Sequence, residues 1–171
     1  ELAEFLRENI EVVERESDNF GLDLAKVVIE PGRSLICNAG STLYSAGGVK
    51  KTFAGREYVF VDGGMADNPR YALYKAKYEA MLANKMNEEA DTTYSVAGKC
   101  CESGDMLVMD ANLPKSEQGD LLLVSSTGAY NYSMSSNYNR LPKLPVVFVK
   151  DGTSRLVVKG ETLEDLIRQD I

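Results

Sequence analysis

From Ser34 onward the chain breaks into short runs of β-branched, aromatic and aliphatic residues separated by glycine and asparagine turns, a punctuation that suits strands and leaves little room for long helices. Strands are expected over 58–61, 92–96, 106–109, 121–124, 146–149 and 155–158. Asp151-Gly152 makes the last two a hairpin. Strands this short and regular suggest a mainly β fold, an antiparallel β-barrel or sandwich, with flanking helices. One helix is expected from Arg70 to Lys77. Thr162-Leu163-Glu164-Asp165 reads as the capping box of a terminal helix.

Upstream the pattern differs. Leu2, Phe5, Leu6, Ile10 and Val13 recur at helical spacing within residues 1–16, and the helix begins with neither an initiator Met nor a cap. The chain is therefore expected to be a piece of a longer protein. Lys26-Val27-Val28-Ile29-Glu30, ended by Pro31-Gly32, reads as a buried parallel strand. The expected organisation is a helix and strand from the end of an α/β (TIM-like) barrel over 1–33, followed by a β domain over 34–171.

Composition narrows the function classes. A net charge of −7 with scattered basic residues argues against nucleic acid or an anionic membrane as partner. No apolar run reaches bilayer length, so a soluble protein is expected. Cys37, Cys100 and Cys101 form an odd set without metal-type spacing, which predicts no metal site and fits a reducing cytoplasm. The chain contains no histidine, so Cys101 cannot belong to a Cys-His nucleophile pair built from it.

Four motifs carry possible chemistry. Glu30-Pro31-Gly32-Arg33 lies where α/β folds place ligands: backbone N–H groups at the glycine can approach a phosphate, Arg33 can bind an oxyanion and Glu30 can hold a heterocyclic N–H. Taken alone, it reads more readily as a Pro-Gly turn flanked by surface charges, because such turns are common. After Val61-Asp62-Gly63-Gly64-Met65, Arg70 and Tyr74 share a helical face and could grip a carboxylate, or simply form an exposed pair. In Cys101-Glu102-Ser103-Gly104-Asp105 a thiol beside a carboxylate at a loop tip can act as proton donor, against the alternative of an inert buried Cys. Gly128-Ala129-Tyr130, leading into Ser133-Met134-Ser135-Ser136-Asn137-Tyr138-Asn139, can place Tyr130 on a phosphate or flat ring, or form a Tyr-rich surface loop.

The order and spacing of these motifs resemble the diaminopimelate decarboxylases, pyridoxal-phosphate enzymes with an alanine-racemase-like fold, over essentially the whole chain. The Cys-Glu-Ser-Gly-Asp string together with Gly-Ala-Tyr points to that branch rather than the ornithine branch. The resemblance implies a carboxy-lyase that converts meso-2,6-diaminopimelate to L-lysine and carbon dioxide with pyridoxal 5′-phosphate. It further implies Glu30 at the pyridinium nitrogen, with Pro31, Gly32 and Arg33 around the cofactor phosphate. Arg33 would also serve the substrate, Tyr130 would touch cofactor and substrate, and Arg70 and Tyr74 would bind the distal end of diaminopimelate. Cys101, as proton donor, and Glu102 would be supplied across a homodimer interface to the partner's site. Tyr71, where proline is common, and Cys100 depart from the family pattern. The Schiff-base lysine belongs to a barrel that this chain lacks, so the chain alone is expected to be inactive. Two alternatives stand beside this reading: decarboxylation of arginine, ornithine or carboxynorspermidine, and a non-catalytic dimerising β-domain module.

Overall fold

Residues 2–23 and 26–171 are described by the structure, a computed structural model. Glu1 of the expected first helix, and residues 24 and 25 of the expected first domain, lie outside the described residues. Two compact units are present, Glu1–Pro31 and Gly32–Ile171.

The first unit contains helix α1 (Leu2–Asn19), which agrees with the helical spacing and runs slightly further. The strand expected over Lys26–Glu30 does not form: this stretch has no regular structure, and Val28 and Ile29 are exposed. A parallel strand needs hydrogen-bonding neighbours in its sheet, and among the described residues no strand pairs with it.

The second unit is built on a six-stranded sheet of order β3-β6-β1-β2-β4-β5. Its strands are β1 (Thr42–Lys51), β2 (Glu57–Val61), β3 (Ala80–Leu82), β4 (Thr92–Ala97), β5 (Met106–Leu113) and β6 (Leu121–Val124). The outermost strands of that order, β3 and β5, approach each other, so the sheet curls into a nearly closed barrel. Four of its five pairings are antiparallel, and β2 runs parallel to β4. The parallel pair follows from topology, because the chain leaves β2, passes through a helix and β3 on the far edge, and returns as β4.

Alternating inward residues form the core. Val59, Val96, Leu107, Leu122 and Val124 are fully enclosed, each burial contributing roughly 1.5–3 kcal/mol before chain entropy is set against it. β1 organises the barrel: its first half pairs with β6 and its second with β2, with the register shifting between Ala46 and Gly48. Gly47-Gly48 therefore sits in a ten-residue strand rather than in a turn.

Short helices decorate this frame. α2 (Arg33–Ile36) runs into a 3-10 turn at Cys37–Ala39, and α3 (Arg70–Tyr74) is shorter than expected because Lys75 turns left-handed at φ 54° and ends it. α4 (Asn131–Met134) follows Tyr130. The hairpin β7 (Val146–Lys150) and β8 (Thr153–Val158) forms as expected, with Asp151 and Gly152 both at positive φ. α5 (Leu163–Ile167) has the reciprocal Thr162/Asp165 capping box.

Candidate active site

Residues from three of the four sequence motifs meet within the second unit. The chain that follows Gly32 is tied to the Gly128 segment by backbone bonds: Gly128 N–H donates to Cys37 O at 2.9 Å, and Thr127 N–H to Gly40 O at 2.9 Å. These bonds bring α2 beside Tyr130. Arg33, at the start of α2, donates from Nη2 to Ser126 O at 3.2 Å and lies 5.6 Å over the ring of Tyr78. Tyr78 is part of the core, and its hydroxyl reaches Asn131 Oδ1 at 3.4 Å.

Arg70 opens α3 directly after the Gly63-Gly64 loop. Its guanidinium carbon sits 5.3 Å from the Tyr74 ring and 5.4 Å from the Tyr130 ring, so the cation lies against two aromatic faces. Asn68 fixes its backbone by accepting from Arg70 N–H at 3.3 Å. Tyr130 adopts φ 71°, a strained conformation for an aromatic residue that costs about 1–3 kcal/mol and persists only when its surroundings impose it. Buried Ala129 and Asn131 flank it, and its carbonyl accepts from Met134 N–H at 2.8 Å.

Neither Arg33 nor Arg70 forms an ion pair among the described residues, and in each the buried Nε has no hydrogen-bond partner. Each guanidinium is thus held against tyrosine faces with no carboxylate beside it among the described residues.

The Cys101 and Glu102 side chains of the remaining motif stand apart. Cys101 and Glu102 are exposed, and Glu102 Oε1 accepts from Gly104 N–H at 3.2 Å within its own turn. Among the described residues neither side chain is hydrogen-bonded or ion-paired to Arg33, Arg70, Tyr74 or Tyr130. The adjacent thiol behaves differently: burial, reinforced by the nearby Asp105 carboxylate, pushes Cys100 up to about 11. Asp67 is also raised, by burial, against the pull of the Gly64 N–H on its Oδ2 at 3.0 Å.

Residues 18–128 match the family model described as the pyridoxal-dependent decarboxylase, C-terminal sheet domain. The chain belongs to this family. It is 54% identical over 169 residues to a diaminopimelate decarboxylase of Bacillus subtilis (strain 168), covering 99% of this chain and 38% of that protein. A diaminopimelate decarboxylase of Halalkalibacterium halodurans is 49% identical over 170 residues, covering 99% of this chain and 39% of that protein. Among solved structures, the diaminopimelate decarboxylase from M. jannaschii in co-complex with L-lysine aligns with TM-score 0.79 at 34% identity, over 95% of this chain and 36% of that one. The chain thus spans about two fifths of the length of these curated relatives.

Within the second unit, then, Gly32, Arg33, Arg70, Tyr74 and Tyr130 converge, while Cys101 and Glu102 face solvent on a separate turn. Glu30 and Pro31 close the first unit and are exposed. Sequence reading missed Tyr78 and Asn131. The four-residue spacing from Tyr74 to Tyr78 was a signal, but α3 ends between them.

Proposed function

We propose that this chain is the sheet portion of a diaminopimelate decarboxylase, which removes carbon dioxide from meso-2,6-diaminopimelate and leaves L-lysine. The observation that carries the reading is the two guanidiniums, Arg33 and Arg70, stacked on tyrosines with no carboxylate partner among the described residues. A cofactor phosphate and a substrate with a remote carboxylate are the two anions that such a pair suits. Similarity to proteins named diaminopimelate decarboxylase, and to a structure in co-complex with L-lysine, supports that choice of substrate.

The residues fit pyridoxal 5′-phosphate. A Cβ at Gly32 would lie 1.9 Å from the Tyr130 hydroxyl, so only glycine lets the tyrosine tip close on the backbone beside Arg33, where one phosphate could meet both. Glu30 would accept from the pyridinium nitrogen, Pro31, Gly32 and Arg33 would line the phosphate, and Tyr130 would touch cofactor and substrate. When bound, the cofactor supplies the ring into which the electron pair of the broken carbon–carbon bond is delocalised. Arg70 and Tyr74 hold the distal carboxylate of the substrate, with Arg33 within its reach. In a homodimer, Cys101 and Glu102 serve the partner's site: Glu102 binds an ammonium group, and the Cys101 thiol donates its proton to the carbon that has lost carbon dioxide. The Schiff-base lysine comes from a barrel domain whose tail is residues 1–33, with 34–171 as the sheet domain. The complete enzyme works in the cytoplasm.

The test is a substrate panel on the full-length protein. Lysine and carbon dioxide from meso-diaminopimelate, with negligible turnover of ornithine, arginine and carboxynorspermidine, is the expected result. Equal or greater kcat/KM on any of the others would overturn the substrate assignment, and no turnover of any would favour a non-catalytic module. This chain alone, given cofactor and diaminopimelate, is expected to form no lysine.

A further inference from the structure

Asp105 closes the Cys101 turn, and the residue is 3% exposed although no lysine or arginine pairs with it among the described residues. A buried carboxylate without a cation is costly unless hydrogen bonds replace its water. Here they come from two loops at once. Oδ1 accepts from Met65 N–H, in the loop that leads to Arg70, and Oδ2 accepts from Cys100 N–H at 2.7 Å, the residue before Cys101. The backbones are laced in parallel, with Lys99 N–H on Gly63 O at 2.9 Å and Gly98 N–H on Asp105 O at 2.9 Å.

The pocket is cut to this side chain. A Cβ at Gly64 would lie 2.5 Å, and one at Gly98 2.2 Å, from Asp105 Oδ2, so both loops can close on the carboxylate only because they present glycine. From Met65 the bonding continues: Asn68 N–H donates to Gly64 O at 3.0 Å, and Asn68 Oδ1 accepts from Arg70 N–H at 3.3 Å. A hydrogen-bonded path thus joins the backbone beside Cys101 to the backbone of Arg70.

We propose that Asp105 is a positioning residue whose buried carboxylate clamps the Cys101 turn onto the Gly63-Gly64-Met65 loop and so sets where the Cys101 thiol is presented. The inference rests on the reading of Cys101 as proton donor. Only a two-oxygen acceptor satisfies two converging N–H groups. Asparagine would turn an NH2 toward one of them, and glutamate is a methylene too long for a pocket walled by glycine backbone.

Two measurements on the full-length enzyme test it. In Asp105→Asn, kcat for meso-diaminopimelate should fall on the order of 10- to 100-fold through misplacement of the thiol, KM should rise by much less although Glu102 shares the turn, and bound cofactor should stay within about twofold because the groups that hold it lie elsewhere. An unchanged kcat, or a loss of cofactor and KM in step with kcat, would overturn the proposal. If Asp105→Asn does not fold, Gly98→Ala, which displaces the carboxylate but keeps it, should show the same split. Hydrogen exchange on the wild-type protein is independent of activity: Met65 and Cys100 amides should exchange about a hundredfold slower than the Ser103 amide, as buried bonded groups do. Equal rates would remove the clamp. Should the enzyme not decarboxylate diaminopimelate at all, that result counts against the proposed function, and the exchange rates still judge the clamp.

Discussion

The arginine–tyrosine cluster and the Cys101 turn are built on opposite plans. In the cluster the side chains are held on aromatic faces without a carboxylate partner among the described residues: Arg33 lies over Tyr78, and Arg70 over Tyr74 and Tyr130. In the turn the backbone is held, through Asp105, and the Cys101 and Glu102 side chains are offered outward with no partner at the cluster. A receptor for anions can be completed by one chain, whereas a donor displayed on an anchored turn is suited to a site contributed by another. The contrast is what a shared active site in a symmetric dimer would require.

The largest effect should come from the turn. Cys101→Ala in the full-length enzyme is expected to lower kcat by roughly 10²–10⁴-fold, the usual range for a lost general acid, with cofactor absorbance unchanged. A kcat within a few-fold of wild type would end the assignment of the thiol as donor. The next test sets two neighbouring thiols against each other. Because Cys100 is pushed up to about 11 from 9.0, it holds on the order of a hundredfold less thiolate near pH 8 than an unperturbed thiol would. Iodoacetamide at that pH should label Cys101 well ahead of Cys100, and Cys100 labelling should rise only as pH climbs toward its raised value. Equal labelling would mean that the turn is not held as described. Arg70→Ala probes the cluster: losing one charge-assisted pair should cost about 1.5–3 kcal/mol, or roughly 10- to 150-fold in kcat/KM, carried mostly by KM. Arg70→Lys should recover only part of this, since a lysine lacks the planar fork. A change in kcat alone would move Arg70 from binding to chemistry.

Much of the sheet was legible because its strands alternate inward and outward and end at glycine or asparagine: 121–124 matches β6 residue for residue, and Asp151-Gly152 forms the expected turn. β1 was hidden by Gly47-Gly48, which reads locally as a turn and acts as a bulge only because two partner strands hold either side of it. The parallel β2–β4 pair was hidden too, since it depends on which distant edge β3 joins. Lys26–Glu30 has the composition of a buried strand, yet composition cannot supply the neighbours that a strand needs. At the site, the residue types of each motif were readable, and so was the Arg70–Tyr74 spacing. That Arg70 would also face Tyr130, and that Asp105 would bind two loops, depends on contacts across 60 and 40 residues of sequence, which no local pattern encodes.

Complementation tests the shared site most directly. Full-length Cys101→Ala and Arg70→Ala variants are mixed under conditions that allow subunit exchange, and lysine formation is measured at meso-diaminopimelate well below the wild-type KM, where each variant alone is strongly impaired. If Arg70 serves its own site and Cys101 the partner's, each mixed dimer regains one intact site, and activity should rise to about a quarter of wild type at equal mixing. Activity that stays at the level of the separate variants, with exchange verified, would contradict the account.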